Sequence, residues 1–264
     1  MSTAKTHSEV PARLVHDGRS VYLPYDYEAQ DVPLAKVYLG EADDAVRRQF
    51  AGKVLGQTTL MLLEVCAICA AGMASSAHTQ HYLQHEGGWI FYVAIITSFA
   101  ITVSFFCSPA LLYHVPIKYV TLVVFGAAMG VMCMYATLQY TVASVLLAAG
   151  LTAANTLALT LYARTSKRDF TAAGGALLCS LWMLLLFGLL QIWFHDHVLQ
   201  LLVATSGALL FSCFIVYDMQ LILGGKHRRH QYGLDDDVLA SISLFLDIIN
   251  LFLYLLELVG ATRN

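Results

Sequence analysis

The chain alternates between long apolar segments and short polar breaks. Seven of the apolar segments come close to the roughly 20 residues that a helix needs to cross a bilayer. They cover residues 54–76, 89–107, 117–138, 141–163, 173–194, 198–223 and 238–260. The breaks are polar or contain glycine or proline, and none is long enough to hold a soluble domain. The pattern therefore predicts an all-α membrane protein, with residues 51–264 forming one bundle of seven transmembrane helices.

The composition agrees with this prediction. Hydrophobic residues make up 58% of the chain and charged residues 12%, whereas soluble domains carry about 25% charged residues. Membrane lipid is therefore the expected surroundings. The formal net charge is -3, and no basic patch is interleaved with aromatic residues, so we expect no nucleic-acid partner.

The first 50 residues differ from the rest because they are polar and show no helical or strand period. We predict a mostly disordered cytosolic tail over residues 1–50. Its tyrosine-rich stretch VYLPYDYEAQDVP is either a docking motif or a solvated linker. The stretch EADDAVRRQFAGK is predicted to open a short helix that leads into the membrane.

Lysine and arginine predict the orientation of the bundle. Fourteen of the fifteen basic residues fall in the tail or in alternate loops, and Arg263 is the exception. Because cytosolic loops carry an excess of Lys and Arg, this asymmetry places the amino terminus in the cytosol. The carboxy terminus is then lumenal or extracellular.

The last apolar segment carries a polar face. At about 100° per residue, five polar side chains fall within one helical arc of roughly 80°. They are Ser243, Asp247, Asn250, Tyr254 and Glu257. A carboxylate at membrane depth costs at least about 2.5 kcal/mol, so this face should avoid lipid. We predict that it lines a pathway.

Asp218 in the sixth apolar segment is a second carboxylate at membrane depth. Antiparallel neighbouring helices could bring Asp218 and Asp247 together, although their depths differ by roughly 7 Å at 1.5 Å per residue. Close carboxyl groups share a proton and titrate in coupled steps, as a pH sensor requires. Carboxylate oxygens are also ligands for calcium. The alternative is a buried hydrogen bond that only fixes packing.

Two further polar groups are candidates for chemistry. Glu64 in the first apolar segment either extends the acidic pathway or pairs with a polar group such as Asn155. At their spacing, His78, His81 and His85 could lie on one helical face, where the imidazoles would bind zinc or sense an acidic lumen. Solvated loop histidines are the alternative. In addition, the G-x-x-x-G of Gly126 and Gly130 predicts a close helix contact.

Several of these stretches carry a family resemblance. They are FIVYDMQLILGG, LDDDVLASISLFLDIINLFLYLLELVG, RRQFAGKVLGQTTLMLLE, FGAAMGVMCMY and TSKRDFTAAGG. From about residue 45 to its end, the chain resembles the transmembrane Bax-inhibitor-motif family (Bax inhibitor / Lifeguard), in its Lifeguard-like branch.

The resemblance implies a seven-helix bundle in which one central helix is ringed by the others. It also implies a calcium leak from intracellular stores that is tuned by pH, with suppression of cell death as the physiological outcome. The family's paired aspartates fall on Asp218 and Asp247, so proton uptake would break their mutual hydrogen bond and alter the cation path. Calcium would be the bound or transported ion, with no organic cofactor. The Golgi or the endoplasmic reticulum is the expected membrane, with the plasma membrane as the alternative.

Two other functions compete with the channel. One is a non-conducting membrane adaptor that binds cell-death regulators or calcium-channel proteins through the tail. The other, placed third, is an intramembrane zinc hydrolase, which would need histidines within the spans, whereas here they cluster in loops. We therefore expect that the protein is not an enzyme.

Overall fold

The computed structural model describes residues 13–16, 19–22, 39, 42–107, 116–166, 168–194, 196–224 and 232–261. Eight α-helices lie in these ranges, and a short 3-10 turn precedes the sixth. They are α1 Asp44–Ala74, α2 Ala77–His85, α3 Gly88–Cys107, α4 Ile117–Thr137, α5 Val142–Thr165, α6 Gly174–Trp193, α7 His197–Leu223 and α8 Asp237–Ala261.

The chain forms two compact units, Met1–Lys36 and Val37–Asn264. Within the first unit, β1 (Arg13–His16) pairs antiparallel with β2 (Arg19–Tyr22). The prediction of a tail without strand period is therefore wrong for this hairpin. The missed signal is the Asp17-Gly18 dipeptide between the two strands, because Asp-Gly favours two-residue hairpin connections. Most of the predicted tail lies outside the described residues.

The helix bounds agree with the apolar segments to within two residues, except at the start of α1. The predicted short helix and the first span are one continuous helix that begins at Asp44. Its first turns contain no proline. Their apolar side chains are also buried in the bundle, with Phe50 5% exposed and Val54 fully buried. Packing therefore continues the helix past the edge of the apolar segment.

Of the described helices, six are long and apolar enough to cross a membrane. A seventh crossing is provided if α2 and α3 act as one broken span. The described part of that pair, Ala77–His85 and Gly88–Ser104, meets the same criteria together and is bent by 63°. The described helices thus give six candidate spans, or seven if the bent pair is counted as one.

Helix α8 lies at the centre of the bundle. It contacts α1, α4, α5 and α7, and Ala240, Phe245 and Leu251 on it are fully buried. Because Asp237 and Asp247 are among the buried positions of this helix, their carboxylates need partners there.

The G-x-x-x-G of α4 forms a close contact with α1, as predicted. A Cβ at Gly126 would collide with the Glu64 carboxylate, and a Cβ at Gly130 would lie 2.6 Å from Ile68 Cδ1. Small residues at this spacing let two helices approach closely. The close contact between α1 and α4 therefore requires glycine at these two positions.

Candidate functional site

The structure brings Asp218 of α7 and Asp247 of α8 together. Both side chains are buried, with 5% and 8% of their surface exposed. Their carboxyl groups lie next to each other at the interface between the two helices. The difference in depth expected from the sequence does not keep them apart. The two carboxylates singled out by the sequence thus form one site, which we call the aspartate pair.

A hydrogen bond between two carboxyl groups needs a proton on one of them, because ionised carboxylates can only accept. A bond between Asp218 and Asp247 would therefore hold one shared proton and a single negative charge. Among the described residues, Oδ2 of Asp247 is a buried oxygen without a hydrogen-bond partner. This oxygen is a free acceptor that a cation or a water molecule could use.

Tyr232, in the loop that leads into α8, borders the aspartate pair. Its phenol lies near Ser243, and burial together with the nearby Asp218 and Asp247 carboxyl groups raises the pKa of Tyr232. The phenol is therefore neutral near pH 7. The carbonyl oxygen of Tyr232 accepts a hydrogen bond of 3.1 Å from the N–H of the fully buried Leu39. Sequence reasoning missed Tyr232 because no periodic pattern includes this loop.

The remaining polar side chains of α8 are packed against other protein groups. The Asn250 side chain donates to the Leu246 carbonyl at 2.8 Å. The Tyr254 ring stacks on Phe211 of α7, with ring centroids 5.8 Å apart. Gln191 Nε2 of α6 donates to Glu257 Oε1 at 3.1 Å. In this conformation Tyr254 and Glu257 of the predicted face contact α7 and α6, whereas the Asn250 amide is bonded within α8.

Glu64 does not join the aspartate pair. It lies half-buried on the α1–α4 contact, against Gly126. The suggested partner Asn155 instead donates to Ser212 Oγ at 2.8 Å, which joins α5 to α7. Of the two alternatives for Glu64, pairing with Asn155 is not formed, because the two residues belong to different helix contacts.

The predicted zinc site is not formed by His78, His81 and His85. They lie in α2, where His81 and His85 have ring centroids 4.4 Å apart. Over the described ranges, no group of three His, Cys, Asp or Glu side chains could hold a metal ion. The reason is geometric: seven residues of helix span about 10 Å along the axis, so these imidazoles cannot converge on one ion.

The aspartate pair itself offers few ligands for calcium. In the described part of the chain, no third acidic or imidazole side chain completes a metal-binding group there. Calcium takes six to eight oxygen ligands. Asp218 and Asp247 would therefore contribute only part of a calcium shell, and carbonyl or water oxygens would have to complete it.

Comparisons with known proteins identify relatives of the chain. The chain is 42% identical to protein lifeguard 4 of Mus musculus over 125 residues, which is 47% of this chain and 50% of the relative. Over the same length and shares, it is 43% identical to the Golgi anti-apoptotic protein of Vaccinia virus (strain Lister). The chain thus spans about half the length of the curated relatives it matches.

The family model gives broader coverage than these pairwise matches. The model described as inhibitor of apoptosis-promoting Bax1 matches residues 47–264. This range includes every helix of the bundle except the first turn of α1. It also contains both members of the aspartate pair and so agrees with the resemblance seen in the sequence motifs. The chain belongs to the Bax1-I family.

Proposed function

We propose that this protein is a pH-sensitive calcium leak channel of an intracellular membrane, which regulates store calcium and suppresses apoptosis. One observation carries the proposal: the carboxyl groups of Asp218 and Asp247 are buried next to each other between α7 and α8. Ionisable groups within membrane spans are expensive, and they mark ion pathways and proton relays. A shared proton makes the contact between the two helices dependent on pH.

Asp218 and Asp247 attract each other most strongly when they share one proton, because a hydrogen bond to an ionised carboxylate is stronger than one between neutral groups. Uptake of a second proton weakens this bond. Loss of the shared proton replaces it with repulsion between two like charges in a poorly solvated site. Either change loosens α8 from α7, so the proton is the switch in the proposed mechanism.

The cation path would follow the α7–α8 contact. In the closed arrangement this contact is sealed beyond the aspartate pair by Tyr254, whose ring lies over Gly207 and against Phe211. When the helices separate, Asp247 Oδ2 becomes available to a calcium ion. The polar face with Ser243, Asn250, Tyr254 and Glu257 would then provide further oxygens along α8.

The relatives support the physiological part of the proposal. The names of two relatives are protein lifeguard 4 and Golgi anti-apoptotic protein. We therefore propose suppression of apoptosis as the cellular outcome and the Golgi as the first membrane to examine, followed by the endoplasmic reticulum. The plasma membrane is a further alternative. Calcium and protons are the proposed ligands, and no enzymatic step is part of the mechanism.

Calcium flux through the purified protein in liposomes tests the channel between pH 6 and 8. Wild type is compared with Asp218→Asn and Asp247→Asn, each of which removes one titrating group from the pair. Asp43→Asn is the matched control, because Asp43 is exposed before α1 and forms no side-chain cap. We expect a pH-dependent leak in wild type and the control, and a flattened pH dependence in the two pair variants.

Each other outcome has a distinct meaning. If wild-type vesicles pass no more calcium than empty vesicles, the channel proposal fails. If wild type leaks and both pair variants titrate like wild type, the protein is a channel but the aspartate pair is not its sensor. A flattened profile in Asp43→Asn as well would show that the effect is not specific to the site.

A non-conducting adaptor is the second candidate function. The observation in its favour is that Met1–Lys36 forms a compact unit of its own, which contains the β1–β2 hairpin. Deletion of residues 1–36 tests this alternative and leaves the buried Leu39 in place. If the truncated protein still leaks calcium but no longer protects cells from death, the adaptor function is favoured.

A further inference from the structure

A second buried polar cluster lies at the start of α8. The Asp237 side chain is 3% exposed, and its carboxylate is shared by lysines of two other helices. Nζ of Lys53, from α1, is 2.9 Å from Oδ2. Nζ of Lys118, from α4, is 3.4 Å from Oδ1. One carboxylate thus ties α8 to both α1 and α4.

Hydrogen bonds complete the cluster. Gln57 Nε2 donates to Asp237 Oδ2 at 3.0 Å. The Ser241 hydroxyl lies 2.6 Å from Gln57 Oε1 and 2.7 Å from the Asp237 carbonyl oxygen. Thr58 Oγ1 donates to the Ser241 carbonyl at 3.2 Å. The first turn of α8 is therefore joined to α1 by a continuous set of polar contacts.

Helix capping does not account for this arrangement. An acidic residue in a first helical turn is favourable while it remains in water. Asp237 is instead buried between three helices, and a buried carboxylate is strongly unfavourable unless it is paired. Lys118 is buried as well, with 8% of its surface exposed. Moving α8 away from α4 would therefore leave the buried Lys118 without Asp237, and moving α8 away from both α1 and α4 would leave Asp237 without either lysine.

We propose that Asp237 is a positioning residue, which with Lys53 and Lys118 forms an ionic clamp that holds α8 against α1 and α4. The helix is continuous from Asp237 through Asp247, and ten residues of helix span about 15 Å. The clamp therefore sets where α8 presents Asp247 to α7. This inference rests on the proposed function for its link to calcium, whereas the clamp itself is tested independently of conduction.

The clamp holds the start of α8 against α1 beside Thr58. Thr58 is 3% exposed and lies on the α1–α8 contact, beside Ser241. When the clamp is released, the start of α8 can separate from α1 and water can reach this position. Ala148 is fully buried at a different contact, where α5 meets α8 near Leu256. Access at Thr58 without access at Ala148 distinguishes local opening from unfolding.

Thiol modification measures this opening directly. The full-length protein, with its native cysteines replaced by alanine, carries Thr58→Cys or Ala148→Cys and reacts with a water-soluble maleimide in liposomes. We expect Asp237→Asn to speed modification at position 58 at least about tenfold, since breaking a buried pair strongly destabilises the paired arrangement. The rate at position 148 should remain unchanged.

Three further variants identify the cause of the faster modification. Asp235→Asn removes the same charge from an exposed neighbour, and it should leave the rate at position 58 within about twofold of the parent protein, as surface substitutions usually do. Asp237→Glu keeps the charge and should restore slow modification. Lys118→Met should open the position as Asp237→Asn does, because it removes the more buried lysine.

The clamp proposal is overturned if the cysteine at position 58 is modified no faster in Asp237→Asn than in Asp235→Asn. It is also overturned if Asp237→Asn raises the modification rates at positions 58 and 148 equally. Calcium flux is recorded on the same vesicles at pH 7. A faster leak in Asp237→Asn that Asp237→Glu reverses links the clamp to conduction. If wild type and all variants fail to leak while position 58 still opens, the clamp stands and the channel proposal fails.

Discussion

Gly207 in α7 is the residue whose replacement most directly tests the closed α7–α8 contact. A Cβ at this position would lie 2.7 Å from ring carbons of Tyr254. The ring is stacked on Phe211, with an interplanar angle of 22°, and has little freedom to retreat. We expect Gly207→Ala to lower the free energy of unfolding by about 1–3 kcal/mol, the usual effect of overpacking.

Thermal unfolding of the purified protein in detergent measures this effect. Gly150→Ala in α5 is the matched control, since a Cβ there has no neighbouring atom within 4 Å. Alanine also favours a helix more than glycine does, so the control should be neutral or slightly more stable. Equal destabilisation by both substitutions would show that Tyr254 does not pack tightly over Gly207.

Residues that signal their role locally were predictable, and residues that act through distant partners were not. Asp218 and Asp247 are conspicuous because each is a carboxylate inside an apolar run. Asp237 is one of three consecutive aspartates before a helix, which is equally typical of a simple first-turn acid. Its partners Lys53 and Lys118 are far away in sequence, and only the packing of three helices brings these charges together.

Between helices, the hydrogen bond from Asn155 to Ser212 is the clearest polar link of α5 to α7. A double-mutant cycle of Asn155→Ala and Ser212→Ala measures its coupling energy. Hydrogen bonds between membrane helices contribute about 0.6 kcal/mol on average and at most about 1.7 kcal/mol. We expect a stabilising coupling in this range, measured by unfolding in mixed micelles.

A second double-mutant cycle, which again includes Asn155 of α5, provides the control. Glu64 lies on the α1–α4 contact and not beside Asn155. Glu64→Gln combined with Asn155→Ala should therefore be additive, because well-separated sites rarely couple. Coupling in this second cycle that equals the first would contradict the assignment of Asn155 to Ser212.

Elements with strong hydropathy were predictable, and elements defined by packing or turns were less so. The apolar runs predict the helix bounds well because lipid requires about 20 apolar residues for each crossing. The continuity of the short amino-terminal helix with the first span was not predicted, because the first turns of α1 are polar in sequence and are stabilised by burial of Phe50 and Val54. Likewise, the bend between α2 and α3 occurs in a polar stretch without a hydropathy signal.

Contacts at both ends of the bundle establish the direction of its helices. Lys53 near the start of α1 and Lys118 near the start of α4 both reach Asp237. Near the opposite ends of the same two helices, Gly72 packs against Met134. Helices α1 and α4 are therefore parallel, so the α2–α3 pair must return the chain along the bundle. This geometry favours seven crossings over six.

Seven crossings place the two termini on opposite sides of the membrane, and the basic residues predict which side each occupies. We expect an amino-terminal tag on the full chain to be digested when protease is added to sealed microsomes, because Lys- and Arg-rich segments remain cytosolic. A carboxy-terminal tag should be protected until detergent opens the vesicles. A resident lumenal protein serves as the control for sealing.

The two alternative results separate crossing number from orientation. Digestion of both tags in sealed vesicles would mean six crossings, with the α2–α3 pair held on one side despite its length and hydropathy. Protection of the amino-terminal tag and digestion of the carboxy-terminal tag would keep seven crossings but reverse the bundle. In that case the ionic clamp at Asp237 would lie on the lumenal side, and the basic loops would no longer explain how the protein inserts.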